Sequence, residues 1–476
     1  MTPTSEQANI LKALQSTNDN LIINALAGTG KTSTLQLIEK ASTRQPILYL
    51  AFNRRIADEA SKKFNGTTSV RTLNGLGHRV WQKTQSQRLV LAPKKTQDIY
   101  KAIIAAMPKG VQPICHEAYW DVIEGVSKAK IVGYIPEGTY THVKALASKE
   151  EFIKTLDEVP DSLTCDLIDA TLTESIKQSY LGTIDFADQI YMPTLFGGTF
   201  PSFPLVLGDE AQDFSPINHK LLRRVVGRNT RLCAVGDPWQ SIYAFRGAVQ
   251  SGMEKIGERF NCTGFPLSLS FRCPEAIVNH VLPHVPHFRW TKPGGKVEVL
   301  KDLELEEIKD DCAILCRNNA PLYHLALRLL RQGRSVSVAG SELGPKILSI
   351  MRKFGDDTLN QAGVLACIES WLNEKAAKGS KSAGDTAECM RVFASYGTTL
   401  GGALAYAKKL FESEGTIRLL TGHKAKGLEW PLVYHLDPWL IGKHAKSNKE
   451  QEANLSYVIS TRAQETLYEI DSGRIK

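Results

Sequence analysis

The chain has 476 residues, of which 42% are hydrophobic and 23% are charged, a composition typical of globular proteins and not of disordered ones. A chain of this length predicts about two to four domains. It has no apolar run near the roughly 20 residues that cross a bilayer, and its first residues lack the basic and apolar blocks of a signal peptide, so we expect a cytoplasmic protein without a membrane partner. Lysine and arginine outnumber aspartate and glutamate 58 to 50, which suits a polyanion partner but is also common among enzymes.

Strand-like and helical runs alternate near the start of the chain. We expect helices from Lys31 and near Arg55, and the strand-like runs are LIIN (21–24), PILYLAF (46–52), TTSVRT (67–72), FPLVLGD (203–209) and RLCAVGD (231–237). Strands that alternate with helices predict a parallel sheet of β-α-β units.

Two segments interrupt this alternation and predict insertions. The fold class is therefore α/β, with two domains that have parallel sheets and each carry a mainly helical insertion. The first domain is expected at 1–89 and 196–264, its insertion at 90–195, the second domain at 265–344 and 415–476, and its short insertion at 345–414. Within the last segment, the polar run 374–388 indicates a mobile loop.

The second domain contains a further set of strand-like runs. They are KVEVL (296–300), CAILC (312–316), SVSVA (335–339), IRLL (417–420) and LVYHL (432–436). Pro321 is expected to open a helix, because Leu322, Leu325, Ala326 and Leu329 follow the helical stripe. The nine cysteines are scattered, and their spacing favours reduced, structural thiols over a metal site. Lys128 and Lys130 are expected on a solvated face.

The segment ALAGTGKT (25–32) predicts a phosphate-binding loop, because a strand precedes it and a helix follows. Backbone N–H groups at the start of a helix bind phosphate oxygens. Lys31 would pair with the β and γ phosphates of ATP, and the Thr32 hydroxyl would hold Mg²⁺. Ala25 stands where the general motif has its first glycine. The remaining nucleotide-binding residues of the loop are Ala27, Gly28, Thr29 and Gly30.

A pair of acids follows the apolar run in LVLGDEAQD (205–213). Asp209 is expected to bind Mg²⁺ directly or through water, and Glu210 to polarise the attacking water. Acid pairs after strands are common, so the pair gains its meaning from the phosphate loop that accompanies it.

The motifs resemble, in order, those of the UvrD/Rep/PcrA group of superfamily 1 DNA helicases. They are SEQANIL (5–11), AFNRRIADEA (51–60), TLNGLGH (72–78), VGDPWQSIYAFRGA (235–248), LSFRCP (269–274), TGHKAKGLEWP (421–431) and NLSYVISTRAQETLY (454–468). The form of the last two motifs is most similar to the F-box DNA helicase branch.

This resemblance implies roles for residues outside the two ATP motifs. Gln7 would read the adenine, Phe271 would stack on it, and Gln240 would sense the γ phosphate. Arg272 and Arg462 would neutralise charge during hydrolysis at the cleft between the two RecA-like domains. Further nucleotide-site residues would be Ser33, Arg246 and Glu429. The family often has arginine where this chain has Ser33.

The resemblance also implies a monomer that moves 3′ to 5′ along single-stranded DNA. Its partners would be single-stranded DNA and junctions of single- and double-stranded DNA. Bases stack on aromatic faces in such channels. The residues at the matching positions are Phe52, Asn74, Tyr243, Phe245 and His423. The family often has tryptophan at the position of Phe245.

Three functions remain open at this point. The first is an ATP-dependent DNA helicase or translocase that requires ATP and Mg²⁺. The second is a DNA-stimulated translocase subunit of a nuclease or repair complex without autonomous unwinding, because the second insertion is short. The third is a scaffold with a decayed ATPase site, which the intact motif residues disfavour.

Overall fold

The structure is a computed structural model, and it describes residues 2–243, 247–339, 343–443 and 449–476. The chain divides into two units, and each is described by itself. Unit 1 comprises residues 1–26 and 30–267, and unit 2 comprises residues 27–29 and 268–476. The finer division into two domains and two insertions stays a prediction.

Unit 1 contains a large parallel β-sheet, and helices lie between its strands along the chain. Its helices are α1 (Ser5–Ser16), α2 (Lys31–Ala41), α3 (Arg54–Lys63), α4 (Leu73–Gln85), α5 (Lys95–Ala106), α6 (Gln112–Glu117), α7 (Tyr119–Val132), α8 (Lys149–Ile153), α9 (Ser162–Tyr180), α10 (Asp188–Leu195), α11 (Pro216–Val225) and α12 (Gly252–Arg259). Its strands are β1 (Asn20–Ala25), β2 (Ile47–Ala51), β3 (Thr68–Thr72), β4 (Val90–Leu91), β5 (Thr183–Ile184), β6 (Leu205–Gly208), β7 (Arg231–Gly236) and β8 (Cys262–Leu267).

The large sheet of unit 1 has the order β3-β2-β6-β7-β1-β8, and its strands pair in parallel. All residues of β2, β6 and β7 are buried, as expected for parallel strands covered on both faces. The sequence runs read as strands in this part of the chain lie in β1, β2, β3, β6 and β7.

The region expected as the first insertion is mainly helical, from α5 to α10. Its helices share a hydrophobic core that includes Trp81, Tyr100, Val126 and Leu172. A short parallel pair, β4 with β5, also lies here, which the sequence did not predict.

Unit 2 contains a second parallel sheet. Its strands are β9 (Leu269–Pro274), β10 (Arg289–Lys292), β11 (Lys296–Val299), β12 (Ala313–Cys316), β13 (Val336–Val338), β14 (Ile417–Thr421), β15 (Trp430–Leu436) and β16 (Ala463–Ile470). Its helices are α13 (Glu275–Val281), α14 (Asn319–Arg331), α15 (Leu343–Met351), α16 (Gln361–Ala377), α17 (Ala383–Tyr396), α18 (Leu400–Phe411), α19 (Gly422–Ala425) and α20 (Lys449–Ser460). The order of the large sheet is β11-β16-β15-β12-β14-β13.

The expected stripe of α14 is buried at all four positions, although the helix begins two residues before Pro321. All nine cysteines are free thiols, and Cys316 ends the buried strand β12. Among the described residues, no helix is both long and apolar enough to cross a membrane.

The prediction of a mobile loop at 374–388 is wrong. Helix α16 continues to Ala377, and α17 begins at Ala383. Ala383 and Ala387 are buried in α17. Alanine has the highest helix propensity, and its small side chain packs closely on a helical face, so a segment that is polar on average still contributes to the core.

The prediction of a solvated Lys130 is also wrong. Its side chain is 1% exposed, and its ammonium lies 2.7 Å from both Asp185 Oδ2 and Asp188 Oδ1. The partners lie more than fifty residues away along the chain, so the sequence around Lys130 could not reveal them. A buried charge requires such partners.

Candidate nucleotide site and nucleic-acid interface

The carboxyl ends of neighbouring parallel strands meet at one edge of a sheet, which is where ligands bind in open α/β folds. In unit 1, the strand order places the segments after β3, β2, β6, β7 and β1 next to one another in that order. The expected DNA contacts follow β3 and β2, and the expected nucleotide contacts follow β6, β7 and β1. The topology therefore brings two predicted sets of residues to one edge.

The phosphate loop connects β1 to α2. Gly28 and Gly30 have φ values of 72° and 82°, in the left-handed region that glycine adopts without steric cost. Lys31 begins α2, with Thr32 and Ser33 in its first turn. Because the first N–H groups of a helix have no partner within it, this turn is suited to bind an anion.

Lys31 and Glu210 form an ion pair in which Nζ lies 3.0 Å from Oε2. Burial alone would lower the pKa of Lys31, but the carboxylates of Glu210, Asp237 and Asp209 outweigh it and raise that pKa. Lys31 is therefore firmly cationic. Its present partner is the residue expected to polarise water, so a bound phosphate would compete with Glu210 for the ammonium.

Asp209 follows β6 and is 2% exposed. Its Oδ1 accepts the N–H of Glu210 at 2.9 Å, and its Oδ2 accepts the hydroxyl of Tyr49. Burial raises the pKa of Asp209, the Glu210 carboxylate raises it further, and Lys31 opposes both. Glu210 itself has a φ of 51°, a strained value for a residue with a side chain.

Gln212 connects the acid pair to the segment after β7. Its Nε2 donates to Glu210 Oε2 at 2.6 Å, and its Oε1 accepts the N–H of Asp237 at 3.0 Å. Asp237 is fully buried, and its Oδ2 accepts Nε2 of Gln240 at 2.6 Å. The proposed γ-phosphate sensor Gln240 is therefore hydrogen-bonded, through Asp237 and Gln212, to Glu210.

Gln7 lies near the amino end of α1 and is 5% exposed. Its Oε1 accepts the N–H of Thr4 at 3.0 Å, and its Nε2 donates to Thr34 Oγ1 at 3.0 Å. The reciprocal bonds between Thr4 and Gln7 form a capping box. Thr34 in α2 thus links Gln7 to the helix that follows the phosphate loop.

Residues of unit 2 form a second group. Arg272 and Glu429 are ion-paired, and Glu429 Oε1 also accepts Nε2 of Gln464 at 2.9 Å. The ring of Phe271 is 45% exposed, which leaves it accessible to a planar ligand. Ala27, Gly28 and Thr29 belong to this unit, and the N–H of Ala27 donates to the hydroxyl of Tyr457 at 2.8 Å.

Arg462 is 1% exposed and lies within unit 2. Its Nε donates to the carbonyl of Val458 at 2.9 Å, and Nη1 donates to the carbonyl of Leu428 at 3.0 Å. Nη2 donates to Thr461 Oγ1 at 3.0 Å. The arginine expected to act in hydrolysis therefore also anchors the end of α20.

Among the expected DNA contacts, Phe52 and Asn74 follow the adjacent strands β2 and β3. Nδ2 of Asn74 donates to the carbonyl of Phe186 at 2.7 Å. The ring of Phe186 is 56% exposed. Tyr243 and His423 are partly buried. Phe245 and Arg246 lie outside the described residues.

Five contributors were missed from the sequence: Thr34, Tyr49, Phe186, Gln212 and Asp237. Gln212 and Asp237 lie inside the quoted motifs, so their positions next to Glu210 and Gln240 were the available signal. Tyr49 lies in an apolar run and Phe186 in the helical insertion. Neither position has a local pattern that separates it from ordinary packing.

Two parallel α/β sheets, a phosphate loop after β1 and an acid pair after β6 define a P-loop protein with two RecA-like domains. Residues 181–261 match the model of the UvrD/REP helicase N-terminal domain, and residues 399–472 match the UvrD-like helicase C-terminal domain. Residues 2–95 match an AAA domain. The chain thus matches the models of both UvrD-like helicase domains, and in this it is similar to the UvrD/Rep/PcrA group.

Three curated relatives illustrate the similarity. F-box DNA helicase protein 1 of Schizosaccharomyces pombe is 25% identical, over 98% of this chain and 57% of that protein. DNA helicase IV of Escherichia coli is 27% identical, over 52% of this chain and 42% of that protein. ATP-dependent DNA helicase PcrA of Bacillus subtilis is 23% identical, over 69% of this chain and 49% of that protein. The chain thus spans about half the length of these relatives.

Proposed function

We propose that the protein is an ATP-dependent DNA helicase that moves 3′ to 5′ on single-stranded DNA. The observation that carries the proposal is the single sheet edge that gathers Lys31, Asp209 and Gln240 beside Asn74 and Phe52. The names of the relatives, which are DNA helicases, support the choice of DNA. The resemblance of the segment 241–248 to the third motif of the group supports the direction.

In the proposed cycle, the γ phosphate binds the ammonium of Lys31 and replaces Glu210 as its partner. Glu210 then accepts a proton from, or orients, the attacking water, while Gln212 continues to hold one of its oxygens. Gln240 contacts the γ phosphate, and its hydrogen bond to Asp237 connects this contact to Gln212 and Glu210. Arg272 and Arg462 supply positive charge as the RecA-like domains close on the nucleotide. Closure and reopening then form a two-state switch, and bound nucleotide shifts the equilibrium between the two states.

The residues present fit a Mg²⁺ ion bound together with ATP. Carboxylate and hydroxyl oxygens are the ligands this ion prefers, and it usually keeps water and phosphate ligands as well. Asp209 and Thr32 would supply the protein oxygens, and the ion would neutralise charge on the phosphates during transfer. Among the described residues, no cluster of three or more histidine, cysteine, aspartate or glutamate side chains could hold a metal by itself, so we expect the metal to bind with the nucleotide.

The DNA contacts that we propose are those of the group, with Phe186 added. Its exposed ring and its hydrogen-bonded backbone next to Asn74 support a stacking role. Base stacking on an aromatic face contributes about 1–3 kcal/mol per base. Tyr243, Phe245 and His423 complete the proposed set of DNA-contacting residues. The proposed substrate includes junctions of single- and double-stranded DNA.

The proposal is tested with purified protein and labelled DNA or RNA that carries 3′ tails, 5′ tails or no tail. We expect single-stranded DNA to stimulate ATP hydrolysis, and unwinding to require ATP, Mg²⁺ and a 3′ tail. Lys31→Ala should abolish ATP turnover, because the ammonium that would bind the β and γ phosphates is lost. Undiminished turnover in Lys31→Ala would contradict the active-site assignment. Unwinding that requires a 5′ tail would contradict the direction.

A second candidate is a translocase subunit of a nuclease or repair complex, without autonomous unwinding. It is favoured by the shortness of the second insertion, whose helices α15 to α18 end at Phe411. This candidate predicts DNA-stimulated ATP hydrolysis and displacement of a protein block from single-stranded DNA, but no strand separation by the isolated chain. Absence of DNA-stimulated hydrolysis would contradict both candidates and favour a scaffold.

A further inference from the structure

Strand β2 contains one polar side chain, that of Tyr49, among the buried residues Ile47, Leu48, Leu50 and Ala51. Tyr49 is fully buried. It pairs with Val70 of β3 on one side and with Leu207 of β6 on the other. Its ring lies 4.7 Å from that of Phe64, centroid to centroid. The ring therefore belongs to the core, and phenylalanine would fill the same space.

The hydroxyl of Tyr49 is what distinguishes it from a core phenylalanine. It donates to Oδ2 of Asp209, two residues beyond the Leu207 that pairs with Tyr49. Burial raises the pKa of Tyr49, and the Asp209 carboxylate raises it further, so the hydroxyl keeps its proton and acts as a donor. A buried hydroxyl without a partner is destabilising, and the bond to Asp209 supplies that partner here.

The second oxygen of Asp209 is also fixed, because Oδ1 accepts the N–H of Glu210. One bond to each oxygen sets the rotation of the carboxylate about its side-chain torsions. Each carboxylate oxygen retains further lone-pair directions. Hydrogen bonds to a metal ligand from its surroundings orient that ligand and alter its affinity for the metal.

We propose that Tyr49 is a positioning residue for Mg²⁺·nucleotide binding, acting through Asp209. The inference rests on the proposed function, in which Asp209 binds the ion. The hydroxyl of Tyr49 holds Oδ2, so the carboxylate is already oriented before the ion binds. It therefore loses little rotational freedom on binding. Tyr49→Phe keeps the ring and its packing but removes the bond to Oδ2, which leaves the carboxylate held at Oδ1 alone. Loss of such a partner typically lowers metal affinity about 10- to 100-fold.

The experiment measures metal affinity directly. Mn²⁺ is titrated into the full chain in the presence of a non-hydrolysable ATP analogue, and free Mn²⁺ is followed by electron paramagnetic resonance. Affinity for the analogue without metal and affinity for single-stranded DNA are measured in parallel. The control is Tyr100→Phe, which removes a buried hydroxyl that donates to the carbonyl of Cys115 at 2.7 Å in the helical insertion.

We expect Tyr49→Phe to weaken Mn²⁺ binding about tenfold or more, while metal-free analogue binding and DNA binding stay as in the wild type. Tyr100→Phe should bind Mn²⁺ as the wild type does. The inference is overturned if Tyr49→Phe binds Mn²⁺ normally, if Tyr100→Phe weakens binding equally, or if Tyr49→Phe weakens metal-free analogue binding to the same extent.

Asp209→Asn separates this inference from the function on which it rests. If Asp209→Asn weakens Mn²⁺ binding and Tyr49→Phe does not, the role of Tyr49 is wrong and the metal site stands. If Asp209→Asn itself binds Mn²⁺ normally, the assignment of Asp209 is wrong, and the inference about Tyr49 fails with it.

Discussion

Arg462 shows how one side chain serves structure and, by our proposal, chemistry. Three of its N–H groups are bound to Val458, Leu428 and Thr461 within unit 2. An arginine has five such groups in a rigid plane, and these three bonds hold that plane in one orientation. A lysine at this position would keep the charge but lose the planar arrangement that makes several bonds at once.

We predict that Arg462→Lys lowers ATP turnover about a thousandfold, in the range found for arginines that stabilise phosphoryl transfer, with little change in nucleotide affinity. Single-turnover hydrolysis and equilibrium nucleotide binding separate the two quantities. The matched control is Arg334→Lys in the same unit, because Nη1 and Nη2 of Arg334 also donate to backbone carbonyls, those of Leu305 and Ile308. Equal losses of turnover in both variants would indicate that Arg462 acts only through folding.

At the residue scale, sequence analysis singled out Lys31, Asp209 and Glu210 as candidate site residues because a phosphate loop and an acid pair have local patterns. It did not find Tyr49, because a tyrosine in an apolar strand has no sequence feature that distinguishes it from core. Its role depends on the pairing of β2 with β6, two strands that lie more than 150 residues apart along the chain. Only the fold reveals that pairing.

At the scale of elements, a buried ionic cluster connects the helices of the insertion in unit 1. Lys95 and Lys130 face Asp185 and Asp188, with ion-pair distances of 2.7 Å. The two acids flank the exposed Phe186 along the chain, so the cluster fixes the segment that carries this ring. Removal of one partner from a buried ion pair leaves an uncompensated charge.

We predict that Lys130→Met destabilises the protein by roughly 3–5 kcal/mol, seen as a lower midpoint in urea unfolding. Burial raises the pKa of Asp185, but Lys130 lowers it more, so the folded-state pKa lies below the usual value. This contribution is therefore present above about pH 4 and is lost as the pH falls through the folded-state pKa. Lys101→Met, at an exposed position of α5, the helix that carries Lys95, should cost less than about 0.5 kcal/mol. Equal costs for the two variants would contradict the role of the cluster.

The elements themselves were predicted unevenly. The strands β1, β2, β6, β7 and β12 have apolar runs that end at turn residues, and they were identified from those runs. The segment 374–388 was wrongly read as a loop, because average polarity hid the buried Ala383 and Ala387. Tertiary packing, which the sequence does not display, decided the structure of this segment.

At the scale of the whole molecule, the order of motifs along the chain supported the α/β class with two parallel sheets, and the matches to both UvrD-like domains agree with it. The spatial order of strands in unit 1 could not be read from the sequence, since β6 and β7 lie between β2 and β1. That order brings the predicted nucleotide residues beside the predicted DNA residues, and it makes communication between the two ligands a physical expectation.

If both ligands bias the same conformational switch, each must change the affinity of the other by one common factor, because linkage between binding equilibria is reciprocal. We predict that a non-hydrolysable ATP analogue with Mg²⁺ changes the Kd for single-stranded DNA by about 5- to 150-fold, and that saturating DNA changes the Kd of the analogue by the same factor. Fluorescence anisotropy measures the first quantity and calorimetry the second. Asp237→Asn should reduce the common factor, because it weakens the acceptor that holds Gln240, whereas binding of either ligand alone should change little. A factor of one in the wild-type protein would mean that the two ligands bind independently, which no ATP-driven motor can do.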